Sequence, residues 1–133
     1  MRITLGTVAA DVPDDWSDAS VLKFVADSSS SEPPPSIVIT RTDYDGMDLT
    51  FALAEHSSGL SDTVIEYEEL GQSRHDDTHV LEHAFGDSPR LGQLVALRVL
   101  DDVLFIVTGT CLVSELESHR DRFLAVAQSL TPT

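Results

Sequence analysis

A chain of 133 residues with 41% hydrophobic and 23% charged residues is long enough for one hydrophobic core and too short for two, so residues 1–133 are read as a single domain. Eight Lys and Arg against 23 Asp and Glu give a formal net charge of −15. That charge repels phosphate backbones and anionic lipid, which argues against nucleic-acid and membrane-surface partners. Cys111 is the only cysteine, so neither an intrachain disulfide nor a multi-cysteine zinc site can form, and a reducing compartment fits. The N-terminus reaches Asp11, Asp14 and Asp15 before any apolar run of signal-peptide length is complete. The apolar stretch at 103–107 is far shorter than the ~20 residues that cross a bilayer. The expectation is a cytoplasmic protein with no membrane insertion.

Residues 2–8 and 20–26 are short apolar or alternating runs separated by a Pro- and Asp-rich segment, and read as two strands joined by a loop. The Ser- and Pro-rich stretch 28–35 has little to bury and reads as a solvated, extended loop. It leads into 36–42, where β-branched density and alternation predict a strand with at least one covered face. Met47, Phe51, Leu53, Ala54 and Leu60 then follow a helical spacing; Asp45 or Asp48 is placed to cap the helix, and Gly59 with Ser61 and Asp62 to close it.

Four further strands are predicted at 63–72, 79–85, 90–100 and 103–110, with turns at 86–89 and at Asp101-Asp102. Ser114-Glu115-Leu116-Glu117 reads as a capping box opening a last helix. Its apolar face is Leu116, Phe123, Leu124, Ala127 and Leu130, Glu117 can pair with Arg120, and Pro132 stops it. The order β-β-β-α-β-β-β-β-α predicts an α+β fold: a mostly antiparallel, twisted sheet with helices packed against it.

Candidate chemistry is sparse. His75, His79 and His83 stand at i, i+4 and i+8 and, with Asp77, would suit zinc or a small metal-dependent enzyme or hydrolase. On a strand, however, the outer two lie about 26 Å apart at ~3.3 Å per residue. No Gly-x-Ser-x-Gly elbow and no phosphate loop accompany the Ser, His and Asp residues. Cys111, ending an apolar strand, reads as a small buried residue. Adjacent acids such as Asp14-Asp15, Asp76-Asp77 and Asp101-Asp102 lack EF-hand spacing and read as solvated turns. No catalytic residue, metal or cofactor is predicted. Trp16 lies in a loop among acids, placed either to close the sheet edge or to touch a partner.

Pro13-Asp14-Asp15-Trp16-Ser17-Asp18-Ala19-Ser20-Val21 resembles the Pro-x-x-Trp-x-Asp-x-Ser-Val opening of the DcrB-like family, which includes the Eag chaperones of type VI secretion. Ile37-Val38-Ile39-Thr40-Arg41 is similar to that family's third strand. Residues 93–110 resemble its paired late strands, and 123–132 its closing helix and Ser-Leu-x-Pro tail. The chain departs from it at 78–81, where Thr78-His79-Val80-Leu81 replaces a frequent Gly-x-Pro-Ala. The resemblance implies an α/β/α sandwich of the PsbP-like kind with no catalytic residues. It also implies a cytoplasmic homodimer that shields a transmembrane-like segment of a secreted effector on a sheet surface.

The expectation is therefore a non-enzymatic protein-binding domain, a chaperone or adaptor, contacting its partner through residues such as Ile37, Ile39, Val95, Leu97 and Trp16. The alternatives are an enzyme using the His75, His79 and His83 region, and a structural domain with an unrelated partner.

Overall fold

The computed structural model describes residues 1–16, 21–27 and 30–132. Residues 17–20 of the Trp-centred opening, Ser28 and Ser29 of the Ser/Pro loop, and Thr133 lie outside the described residues. Among the described residues eight strands and two α-helices follow one another: β1 (Arg2–Leu5), β2 (Val8–Asp11), β3 (Leu22–Val25), β4 (Ser36–Asp43), α1 (Leu49–Ser61), β5 (Glu68–His75), β6 (Thr78–Phe85), β7 (Leu91–Leu100), β8 (Val103–Leu112) and α2 (Leu116–Ser129). β3 to β8 form one antiparallel sheet in the order β3-β4-β8-β7-β6-β5, whereas, among the described residues, β1 and β2 pair with each other alone.

The register sorts side chains into two cores. Ala96 stands opposite Val80 on one neighbour and Val107 on the other. With Leu94 and Cys111 these residues pack against Leu116, Phe123 and Ala127 of α2, and Ile37 and Ile39 flank them. The intervening residues point the other way: Leu81, Val95 and Leu97 pack against Leu53 of α1, joined by Leu49, Ala52, Leu104 and Ile106. Residues 94–97 are consequently all buried, because each face of β7 lies beneath a helix. Each fully buried Leu or Val contributes about 1.5–3 kcal/mol relative to exposure, so this two-sided strand anchors the sandwich.

The predicted antiparallel sheet flanked by helices is the observed architecture, with local differences. The first predicted strand is a hairpin: Gly6, at a φ of 59°, reverses the chain between β1 and β2 and adds one strand to the order. β5 starts at Glu68 instead of residue 63, because Thr63 and Val64 donate their amides to Leu60 O and prolong the helix end. Gly59 lies inside α1, whose N-cap is Asp48, accepting from the Thr50 amide at 2.8 Å. The capping box does not form: Ser114 sits in a 3-10 turn (Val113–Glu115), and α2 begins after Glu115 with no side-chain cap. Arg120 donates to Glu82 Oε1 across to the sheet at 2.5 Å. Asp101 and Asp102 adopt φ of 50° and 62°, both left-handed, so two aspartates close the β7–β8 hairpin without glycine.

Candidate functional site

β3 ends the sheet, so β4 pairs with one side of its backbone and, among the described residues, no strand pairs with the other. Its side chains are unusually apolar for so open a position: Leu22, Phe24 and Val25 are 49%, 56% and 47% exposed. Phe24 stands opposite Ile37, and Leu22 opposite Ile39, extending the α2-side row of the core to the edge. Because α2 packs chiefly on β7 and β8, a cavity of about 230 Å³ is left between the β3–β4 pair and the helix. Phe24, Ala26, Ile37 and Phe123 supply apolar walls, and His119 and Arg122 border them.

The cavity's helical side is braced. His119 stacks on Phe123 with ring centroids 5.8 Å apart, and its Nε2 lies 3.8 Å from Glu115 Oε2 one turn earlier. Ser31 donates to Glu115 as well, tying the loop before β4 to the start of α2. Arg122 is exposed and, among the described residues, makes no hydrogen bond or ion pair.

A second constellation lies on the α1 side. His83 is fully buried, its Nε2 2.8 Å from Gln93 Oε1 and its Nδ1 3.3 Å from Tyr67 OH. An amide oxygen only accepts, so Nε2 carries the proton and Nδ1 accepts from Tyr67. Tyr67 OH in turn lies 2.5 Å from Ser57 Oγ, and Gln93 Nε2 donates to Thr110 Oγ1 at 3.0 Å. The His56 ring stacks parallel to His83 at 5.9 Å. Burial pushes the His83 pKa down against the opposing pull of its Gln93 bond and of Glu69, which leaves a neutral imidazole inside a satisfied network. Ser57 reaches His83 only through Tyr67, so the arrangement lacks the direct nucleophile–base contact of a hydrolase. It ties α1 to β6, β7 and β8.

The structure separates several residues that the sequence groups together. His75 sits opposite Thr78 on the α2 side, with its Nε2 3.1 Å from Ser73 Oγ. His79 and His83 share the other face, four residues and therefore about 13 Å apart. Among the described residues no group of three or more His, Cys, Asp or Glu could hold a metal ion, so the metal-centre reading finds no geometry. Of the predicted partner-contacting residues, Ile37 lines the cavity and Ile39 flanks the same core. Val95 and Leu97 are 0% and 4% exposed beneath α1 on the opposite face. Trp16 is 64% exposed in the loop after β2 and closes no core. Phe24 and Arg122 escaped the sequence reading. Lys23-Phe24-Val25 signals a strand, and nothing local marks it as the edge of the sheet.

No family model matches the chain, and no curated protein matches it. Solved structures do. The Pseudomonas aeruginosa protein PA94, of unknown function, is 17% identical and superposes with a TM-score of 0.75 over 100% of this chain and 96% of PA94. Cyanobacterial PsbP (CyanoP) of Synechocystis sp. PCC 6803 is 13% identical, with a TM-score of 0.57 over 82% of this chain and 79% of its own. The Saccharomyces cerevisiae Ran-binding protein Mog1p is 17% identical, with a TM-score of 0.54 over 92% of this chain and 74% of its own. At such identities the likeness is one of fold, and this chain has the fold that PsbP and Mog1p share.

Proposed function

We propose that this chain is a non-enzymatic protein-binding domain, a chaperone or adaptor that covers an apolar segment of another polypeptide. The carrying observation is the exposed apolar edge of β3, with Leu22, Phe24 and Val25 beside the cavity over Ile37 and Phe123. Apolar surface held open in water is stabilised at about 25 cal/mol per Å² when a partner covers it, and contiguous exposed patches mark interaction sites. A net charge of −15 would keep the carrier dispersed while its cargo is masked. The resemblance of the Trp-centred opening to the DcrB-like family supports a transmembrane-like segment of a secreted effector as cargo, taken up in the cytoplasm by a homodimer. Mog1p, of the same fold, is a Ran-binding protein, which accords with a protein partner.

Ile37, Ile39 and Trp16 are the proposed contacts, together with Phe24. Val95 and Leu97 would reach a partner only with α1 displaced. The test is to titrate the full chain, without detergent, against a helical apolar peptide of about 20 residues, and to follow peptide solubility and the mass of the complex. The expected result is a soluble complex that Phe24→Asp abolishes while its circular dichroism matches the parent. Peptide that precipitates equally with and without the protein would overturn the proposal.

A further inference from the structure

The two helices are held to the sheet unequally. α2 buries Leu116, Phe123 and Ala127, and Arg98 of β7 binds the carbonyls of Ala127, Gln128 and Leu130 at its end. α1 buries Leu53 alone, with Leu49 and Ala52 covered only in part. Among the described residues no ion pair joins α1 to the sheet. The one hydrogen bond from an α1 side chain to a residue beyond the helix is that of Ser57 with Tyr67. A helix of 13 residues that includes Ser57, Ser58, Gly59 and Ser61 is marginal without packing.

Two imidazoles meet across this weak contact. His56 of α1 lies flat on His83 of β6, the rings 5.9 Å apart and within 5° of parallel. The other groups around His83 are Tyr67 before β5, Phe85 on its own strand, Gln93 on β7 and, through Gln93, Thr110 on β8. All are uncharged at neutral pH. Glu69, opposite His83 in the register, is the one acid that favours its charged form; it is exposed and held by Gln72. His79 and Arg74 share this sheet face four residues farther along β6, about 13 Å away.

We infer that α1 is an acid-released lid: protonation of His56 and His83 frees it from the sheet and uncovers Leu81, Val95 and Leu97, while α2 stays docked. The device goes beyond the protein-binding reading and stands without it. A protonated His83 donates from both ring nitrogens. The Tyr67 hydroxyl can turn to accept from Nδ1 and donate to Ser57, so the hydrogen bonds survive, but the charge has no buried partner. His56, open to water, places a second positive charge on the same stack. Moving α1 away separates the two charges and admits water to both. Burial lowers the pKa of each ring, and His56 lowers that of His83 further. The closed lid is therefore favoured above about pH 6.5 and weakens as the pH falls below it. On α2, by contrast, His119 has Glu115 beside it to accept its charge.

The experiment is hydrogen–deuterium exchange of the full chain at pH 7.5 and 5.5, read as protection factors corrected for the intrinsic pH dependence of exchange. Protection of the amides of residues 53–61 is expected to fall at least about tenfold at pH 5.5, the effect of one group whose pKa differs by one unit between closed and open states. Protection in α2 should fall clearly less. His56→Gln, at an exposed position that leaves the core intact, should shrink the fall in α1, and His56→Gln with His83→Gln should abolish it. Equal losses of protection in α1 and α2 would mean that acid unfolds the chain as a whole and would overturn the inference. Unchanged protection of α1, or an undiminished fall in both variants, would overturn it too.

Discussion

Gly109 of β8 lies directly beneath the ring of Phe123 in α2: a Cβ at position 109 would stand 2.2 Å from Phe123 Cγ, where carbon atoms normally rest about 3.5–4.0 Å apart. The missing side chain sets how closely α2 approaches the sheet. It also positions the Phe123 ring between the core and the β3 cavity.

Gly109→Ala is accordingly expected to destabilise the fold by about 3 kcal/mol, the scale of core overpacking. Urea denaturation should show a lowered midpoint, and adding Phe123→Leu should recover part of the loss. An unchanged midpoint in the single variant would refute the close approach.

Arg98 holds the other end of α2. Its Nη1 lies 3.1, 3.0 and 2.7 Å from the carbonyls of Ala127, Gln128 and Leu130, and its Nε is 3.1 Å from Asp77 Oδ2. Carbonyls at a helix C-terminus have no partner within the helix, and a largely buried guanidinium satisfies them. Arg98→Met should cost about 2 kcal/mol, as for hydrogen bonds to a charged group, and should speed amide exchange in the last turn of α2. Arg98→Lys should fall between the two. Asp77→Asn should matter less, because that carboxylate is largely exposed.

His83 makes stability depend on pH. Burial holds its folded pKa below the unfolded value of about 6.5, so the unfolded chain takes up a proton that the folded chain refuses. Stability is then full above about pH 6.5 and falls as the pH drops below it. His56, lowered by its own partial burial, acts in the same sense. Denaturant titrations at pH 7.5 and 5.5 should show a smaller difference for His83→Gln than for the parent. Identical differences would remove His83 as the cause.

Cys111 is fully buried, and burial with the nearby Glu115 charge raises its thiol pKa to about 11. Only about one thiol in a thousand would ionise at pH 8, and it lies out of reach of reagent. The native protein should leave a disulfide reagent unreacted over hours, and the denatured chain should react at once. Rapid native labelling would show that the α2 side opens readily.

The elements most legible in the sequence are those with dense β-branched runs between polar turns. The strands predicted at 36–42, 79–85, 90–100 and 103–110 each appear within two residues of their observed ends. Legibility fails where a local signal is outvoted. Val64 and Ile65 look like strand residues, yet the helix end captures the Val64 amide. Ser114 has the right residues after it for a cap, yet β8 runs on to Leu112 and the chain enters α2 through a 3-10 turn. The expected partner contacts Ile37, Ile39, Val95 and Leu97 lie on two strands and do not share a surface. Alternation tells which residues of one strand share a face, but not how two strands are set against each other, and Ile37 and Val95 face opposite helices.

The chain alone determined its strand periods, its polar turns, its acidity and hence the class of sheet with helices packed on it, because these are carried by neighbouring residues. Only the tertiary structure decided that β3 is the edge, that Phe24 and Arg122 border one cavity, and that Ser57, Tyr67, His83, Gln93 and Thr110 join in one network. Those relations link residues far apart in sequence. They follow from strand order, register and close packing, which emerge only when the whole sheet is assembled.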